Sequence, residues 1–330
     1  MIAGIAKAVT AESHITAFRG LMGPIGIATF LSSARAAGLG HEFDALEALE
    51  RGLDELGQGV MPLGLWNGAA GIRWVVAQLT TGAESAALLT HLDSQIEARL
   101  TALDCDGYDL YSGLSGVLLA YADDEIRGNR ILEIVLDHFD RILPLNNRSS
   151  FGCAHGLAGA LAAIACCHLH GRTDVRAAPL MTALIAALST ADVTGRRVGW
   201  CHGDIGIAIA LLGAARAFGD PDLEAAAVAI ALAPFTRSGA RWPIDTGLCH
   251  GSAGLGHLYN RMYQATGNGL LGEVAHTWLR RTMAKDSDLL RVADSSLLVG
   301  ESGLGLALLA GATSATPDWD RVLAADLAPA

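Results

Sequence analysis

The stretch HGDIGIAIALLGAARAFGDPDLEAAAVAIALAPF, His202 to Phe235, carries a helical hairpin in its punctuation. An apolar segment runs from about Asp204 to Phe218 and stops at Gly219, the residue type that most readily ends a helix in the left-handed conformation. Asp220-Pro221 starts a second segment, and proline suits the first turn of a helix because its missing N–H would be unpaired there anyway. That segment ends near Pro234, which cannot continue a helix. Strand signals, meaning alternating β-branched runs around Asn-Gly turns, are scarce throughout the chain. The reading is two helices and a tight turn.

The hairpin is one of seven. A Gly-x-x-Gly pair opening an apolar stretch recurs as MGPIGIATFL, NGAAGIRWVV, SGLSGVLLAY, HGLAGALAAI, HGDIGIAIAL, HGSAGLGHLY and GESGLGLALL. The first glycines are Gly23, Gly68, Gly113, Gly156, Gly203, Gly251 and Gly300, spaced 45, 45, 43, 47, 48 and 49 residues apart. Such a period is the signature of a helical-repeat architecture, with two helices expected in each period. Two arrangements suit it: an open solenoid, or a closed α/α toroid with an inner and an outer ring. The segments after each Gly-x-x-Gly are apolar and rich in small residues, as helices crowded on all sides require. They are therefore placed in an inner ring, and the expected fold is all-α, an α/α toroid of seven helical-hairpin repeats forming one domain over residues 1–330. Closure gathers the starts of all seven inner helices around one end of one cavity.

Composition narrows the function. Hydrophobic residues make up 51% of the 330 and charged residues only 17%, with a mean hydropathy of +0.35. Even so, the apolar runs, such as the one from Leu223 to Phe235, are interrupted by Glu224 or Pro234 well short of the roughly 20 residues a membrane span needs. Glu12, His14 and Arg19 break up the N-terminus too early for a secretory signal. A cytoplasmic location follows as the expectation. The formal charge of −11 and the absence of any Lys/Arg run argue against nucleic-acid binding. Six cysteines are too sparse for a disulfide scaffold, and Cys166 and Cys167 inside ALAAIACCHL read as buried free thiols.

Aligned on the first glycine, the two preceding residues are Leu21-Met22, Trp66-Asn67, Tyr111-Ser112, Ala154-His155, Cys201-His202, Cys249-His250 and Leu298-Val299. Every Cys and His falls in repeats four to six, so in a closed ring they converge. Cys201, Cys249 and His250 make a three-ligand set of the kind that leaves a fourth position for water or substrate. Soft sulfur with imidazole favours zinc over magnesium or calcium. Both cysteines also precede helix N-termini, where backbone dipoles favour thiolate. The bland alternative is that Cys-His-Gly is only the repeat's turn sequence. His202 is open to three readings from spacing: a ligand in place of His250, an outer partner of the site, or an acid–base group. His155 occupies the matching place one repeat earlier. Asp109 lies four residues before Gly113 and Arg197 four before Cys201; each alone reads as a cap or a solvated charge. Cys153 and His168 read as structural, and His170 and His257 as helix-end or inner-wall histidines.

Together these residues resemble the lanthionine-forming cyclases, the LanC-like family, over nearly the whole chain. That family's His-Gly, Trp-Cys-Tyr-Gly and Cys-His-Gly segments stand here, in order, as AHGLAG with His155, WCHGDIG with Cys201, and LCHGSAG with Cys249 and His250. Asp109 and Arg197 match the family's aspartate and arginine. The resemblance implies a seven-repeat α/α toroid in which Cys201, Cys249 and His250 bind catalytic zinc (Zn2+). It implies an intramolecular Michael-type addition of a peptide cysteine thiol to dehydroalanine or dehydrobutyrine, forming lanthionine or methyllanthionine thioether rings. In that scheme Arg197 stabilises the enolate, His155 moves the proton and Asp109 orients or charges either of them. One departure stands out: the family's tyrosine after the first zinc cysteine is His202 here, which leaves the tyrosine's role without its usual bearer. The chain also has little room for the inserted domain that some dedicated cyclases carry.

The substrate implied by the resemblance is a dehydrated precursor peptide, leader plus core. The implied partners are the dehydratase and transporter of the same pathway, with peripheral membrane association through that complex. Three other readings remain: a LanC-like protein that adds glutathione or another thiol to dehydrated residues, a non-catalytic helical-repeat scaffold, and a different toroid enzyme such as a glycosidase or a zinc prenyltransferase. A glycosidase needs paired rim acids, and only Asp109 and Asp204 offer themselves.

Overall fold

The computed structural model describes residues 1–12, 19–39, 42–57, 59, 61–102, 107–143, 151–189, 197–284, 289–290, 294–314 and 316–327. Among them are fourteen α-helices. The first, α1 (Ile2–Glu12), is followed by alternating inner and outer helices. The inner set is α2 (Pro24–Ala36), α4 (Ala69–Leu79), α6 (Leu114–Ala120), α8 (Leu157–Leu169), α10 (Asp204–Phe218), α12 (Ser252–Thr266) and α14 (Glu301–Ala312). The outer set is α3 (Glu42–Asp54), α5 (Ala83–Thr101), α7 (Gly128–Ile142), α9 (Ala177–Ser189), α11 (Pro221–Leu232) and α13 (Gly269–Met283). The fifth hairpin has the expected bounds. Gly219 ends α10 at φ 64°, and the Asp220 carboxylate caps α11 by accepting from the amides of Asp222 and Leu223.

The ring is closed, because α14 packs against α2. The contact is tight enough that a Cβ on Gly305 would lie 2.3 Å from the Phe30 ring. The seventh repeat departs from the two-helix expectation. No second α-helix follows α14 among the described residues, only a short 3-10 turn at Asp318–Leu323, and α1 from the chain's other end packs against α14 in its place. The apolar flank of α14 needs covering whichever end of the chain supplies the cover.

Close approach explains the second glycine of each Gly-x-x-Gly. A Cβ on Gly71, Gly116, Gly159, Gly206, Gly254 or Gly303 would lie between 1.8 and 2.3 Å from the carbonyl oxygen six residues earlier, and on Gly26 2.1 Å from that of Leu21. Each inner helix therefore begins directly against its own entry loop. The loops are joined in turn by backbone hydrogen bonds. The Met22 amide donates to the Trp66 carbonyl, Trp66 to Tyr111, Tyr111 to Ala154, Ala154 to Cys201, Trp200 to Cys249 and Cys249 to Leu298, at 2.9–3.2 Å. This ladder holds the residues just before the first glycines side by side around one rim.

The C-terminal segment, residues 316–327, enters the ring beneath that rim. Asp320 is buried against His257 Nε2 (3.0 Å) and Arg261 Nε (2.8 Å) of α12. The Leu323 carbonyl accepts from the Trp200 indole N–H at 2.8 Å. A cavity of about 520 Å³ lies at the opposite end from the rim, among the last turns of α2, α4 and α14 and beside Trp319.

Candidate metal centre and its rim

The ladder bond from the Trp200 amide to the Cys249 carbonyl, 2.9 Å long, sets the Cys201 and Cys249 loops next to each other. The two sulfurs and a ring nitrogen of His250 lie within 4.8 Å of one another. Gly199 permits this, since a Cβ there would stand only 3.0 Å from the Cα and Cβ of His250. Both cysteines are buried and free of disulfides, as are Cys153, Cys166 and Cys167. The two thiols share a proton unequally. A hydrogen bond from Cys249 draws the Cys201 thiol well below its ordinary pKa, overcoming burial, with His250 and His202 adding to the effect. The same bond holds the Cys249 proton in place.

The donor set suits a zinc ion: two sulfurs, one of them already favoured as thiolate, and one imidazole. One atom marks the fit. Among the described residues His250 Nδ1 is buried and makes no well-formed hydrogen bond, while Nε2 of the same ring faces Asp245 Oδ2 at 3.5 Å. A buried polar atom without a partner is costly, and a metal among these donors would satisfy it. The ring's outward nitrogen then has the carboxylate neighbour that metal-binding histidines usually keep.

Four further residues expected at the rim are there. His155 Nδ1 lies 3.3 Å from Asp109 Oδ2, and the hydrogen bond it donates to Asp109 raises the His155 pKa. For Asp109, burial pushes upward, but hydrogen bonds from His155 and Ser112 outweigh it and leave the carboxyl below its ordinary value. Oδ1 of Asp109 also accepts from the amides of Ser112 (2.7 Å) and Gly113 (3.1 Å), so the capping role and the histidine contact coexist. The exposed His202 ring stacks on His155 with centroids 5.4 Å apart, and His155 meets Tyr111 at 5.3 Å. His202 thus stands with His155 and Asp109 on the rim, while His250 stands with the sulfurs. Arg197 is exposed and has no hydrogen-bond or ion-pair partner among the described residues, yet its charge reaches Cys249 and His250.

Two other groups of polar residues are already committed. Asp204 is wholly buried and bonded in two places to Arg237, at 2.8 and 2.6 Å. It is not a free rim acid, which removes one half of a glycosidase pair. Cys166, His170 and Asp326 also bring donor atoms together. There, however, His170 Nε2 and Arg321 Nε both lie 3.0 Å from the same Asp326 oxygen, so the carboxylate is partnered. Burial pushes the Cys166 thiol up to about 12. This group ties the C-terminal segment to the end of α8.

A family model described as "Lanthionine synthetase C-like protein" matches residues 15–324. The chain belongs to that family. None of the curated proteins compared with this LanC-like chain matches it in sequence. Among solved structures it is similar to one titled "Nisin cyclase", with a TM-score of 0.79 over 98% of this chain and 96% of the other, at 18% identity. At that identity the likeness speaks for the fold, the α/α toroid. Among the described residues no helix is long and apolar enough to cross a membrane.

Asp245 was not singled out by sequence reasoning. The signal available was its register, six residues before Gly251, the place that Arg197 holds before Gly203 and Asp294 before Gly300.

Proposed function

We propose that this LanC-like chain is a zinc-dependent lanthionine cyclase, a single-domain enzyme that closes thioether rings in a dehydrated precursor peptide. The observation that carries the reading is the convergence of Cys201, Cys249 and His250, with His250 Nδ1 buried and making no well-formed hydrogen bond among the described residues. Zinc held by these three residues supplies a Lewis acid that favours the thiolate form of a substrate cysteine at neutral pH.

The other rim residues suit the remaining needs of the addition. The thiol sulfur bonds to the β-carbon of the dehydrated residue, the C=C π bond opens, and the thiol proton is matched by one delivered to the α-carbon. The negative charge that develops on the carbonyl oxygen calls for a fixed cation. Arg197 is exposed, without a carboxylate partner among the described residues, and its charge is felt at Cys249 and His250. His155 is the acid that protonates the α-carbon, and the Asp109 contact at 3.3 Å orients its ring and favours its protonated form. His202, standing where the family has a tyrosine, stacks on the His155 ring. The dehydratase and transporter of the same pathway, the cytoplasmic location and the peripheral membrane association stay within this proposal.

The test begins with metal content. Wild-type protein purified without chelators is expected to hold about one zinc per chain, and Cys249→Ala to lose it. A dehydrated cysteine-containing peptide is then incubated with enzyme, with and without glutathione, and weighed after thiol alkylation. Cyclisation leaves the mass unchanged and hides the thiol. Mass gain by glutathione would move the assignment to intermolecular thiol addition. Absence of zinc from the wild type would sink the metal-centred reading altogether.

A further inference from the structure

Two rim carboxylates share one design. Asp109 anchors Oδ1 on the amides of its own loop and offers Oδ2 to His155. Asp245 accepts the Gly247 amide on Oδ1 at 2.9 Å and presents Oδ2 to His250 Nε2 at 3.5 Å. The Asp245 side chain is only 14% exposed. Its backbone carbonyl accepts from the Ser252 amide at 2.9 Å. A Cβ on Gly251 would stand 2.4 Å from its Oδ1, so the carboxylate fills a space that only a glycine leaves open. The residue is held at its carboxylate by the Gly247 amide and at its backbone by the Ser252 amide, with Oδ2 turned to the histidine.

The seventh repeat supplies an internal comparison. Asp294 holds the same register, and its Oδ1 accepts the Ser296 amide at 2.7 Å in the same kind of turn. Val299 stands there where repeat six has His250. The turn therefore does not depend on a histidine, and the Oδ2 contact to His250 is an addition to it.

We propose that Asp245 is a positioning residue for the metal centre. By accepting the Nε2 proton of His250, it fixes the tautomer in which Nδ1 is the bare, ligating nitrogen. The inference rests on the zinc reading above. A neutral imidazole carries its proton on one nitrogen, and the carboxylate, which can only accept, draws that proton to Nε2. Nδ1 is buried and makes no well-formed hydrogen bond among the described residues, and a ring nitrogen of His250 lies within 4.8 Å of both sulfurs; with the proton on Nε2, Nδ1 is the nitrogen left with a free lone pair.

Asp245→Asn separates this role from simple capping. Asparagine is as good a turn residue as aspartate, and its amide oxygen still accepts the Gly247 N–H. Its NH2 would then face Nε2, which favours the opposite tautomer and places the proton on Nδ1. Zinc affinity, measured by competition with a chromophoric chelator, is expected to fall about tenfold to hundredfold in Asp245→Asn, with the helical circular dichroism retained. Asp294→Asn is expected to bind zinc as the wild type does. An Asp245→Asn protein within about twofold of wild-type affinity would overturn the proposal, as would an equal loss in Asp294→Asn. Asp245→Ser, which restores a small acceptor near the turn without an amide donor, is expected to bind more tightly than Asp245→Asn, and the reverse order would likewise overturn it. Wild-type protein that binds no zinc would instead remove the reading on which the inference stands, so the two failures are distinct.

Discussion

Replacing Gly206 by alanine tests whether the second glycine of each repeat is a device for close approach. A Cβ there would lie 2.0 Å from the Trp200 carbonyl oxygen and 3.0 Å from Cys153 Cβ. An acceptable carbon–oxygen contact is about 3.3 Å, so helix and loop must part by about 1.3 Å. The moving carbonyl belongs to the peptide unit that leads into Cys201, so the displacement is carried to a proposed metal ligand. Overpacking of this kind costs about 1–3 kcal/mol, partly offset by the roughly 1 kcal/mol by which alanine is the better helix former. Gly213 is the control on the same helix. A Cβ there meets only Ala165 Cβ at 3.8 Å, an ordinary contact, so Gly213→Ala is expected to stabilise by about 0.4–1 kcal/mol. The assay is thermal unfolding of both variants beside zinc affinity. Gly206→Ala is expected to melt lower and bind zinc more weakly, with cyclisation reduced about hundredfold by the misplaced ligand. Gly213→Ala is expected to melt higher with affinity intact. A Gly206→Ala protein that matches the wild type in both readouts, or a Gly213→Ala protein that loses as much, would refute the packing argument.

Other expectations concern the charged groups. Arg237→Ala leaves Asp204 buried without its partner and is expected to cost about 3–5 kcal/mol in chemical unfolding; an Asp204→Asn/Arg237→Met double variant should recover part of that loss, and no recovery would show that the pair is not the cause. Asp109→Asn removes the contact that raises His155, so the His155 titration followed by NMR should move down toward the ordinary histidine value. With His155 as the acid, the decline of cyclisation with rising pH should then begin at lower pH than in the wild type. The sign for stability follows from the same two shifts. The raised His155 stabilises fully below the ordinary histidine pKa and less as pH rises through its folded value. The lowered Asp109 stabilises above the ordinary aspartate pKa and less as pH falls through its folded value. The pair is therefore most stabilising between about pH 4 and 6.5, and Asp109→Asn should lower the melting temperature most in that window.

What could be read from the chain alone was what neighbours along it decide. The Gly219 stop, the Asp220-Pro221 restart and the 43–49-residue glycine spacing each depend on backbone preferences within a few residues, and the helices follow them closely. The donor types at Cys201, Cys249 and His250 were equally visible, because a repeat period converts spacing into register. Closure was not local. It rests on α14 meeting α2 and on α1 taking the outer place beside α14, contacts between residues separated by most of the chain, to which each hairpin adds only a small rotation. The same holds for the fine structure of the site. Asp245 is an ordinary turn aspartate in the sequence, indistinguishable from Asp294, until the ring sets His250 within 3.5 Å of its free oxygen. Trp200 likewise gains its partner, the Leu323 carbonyl, only when the C-terminal segment enters the ring. Sequence determined the hairpins and the chemistry they carry; tertiary structure decided which side chains meet, because those distances are set by packing around a closed ring.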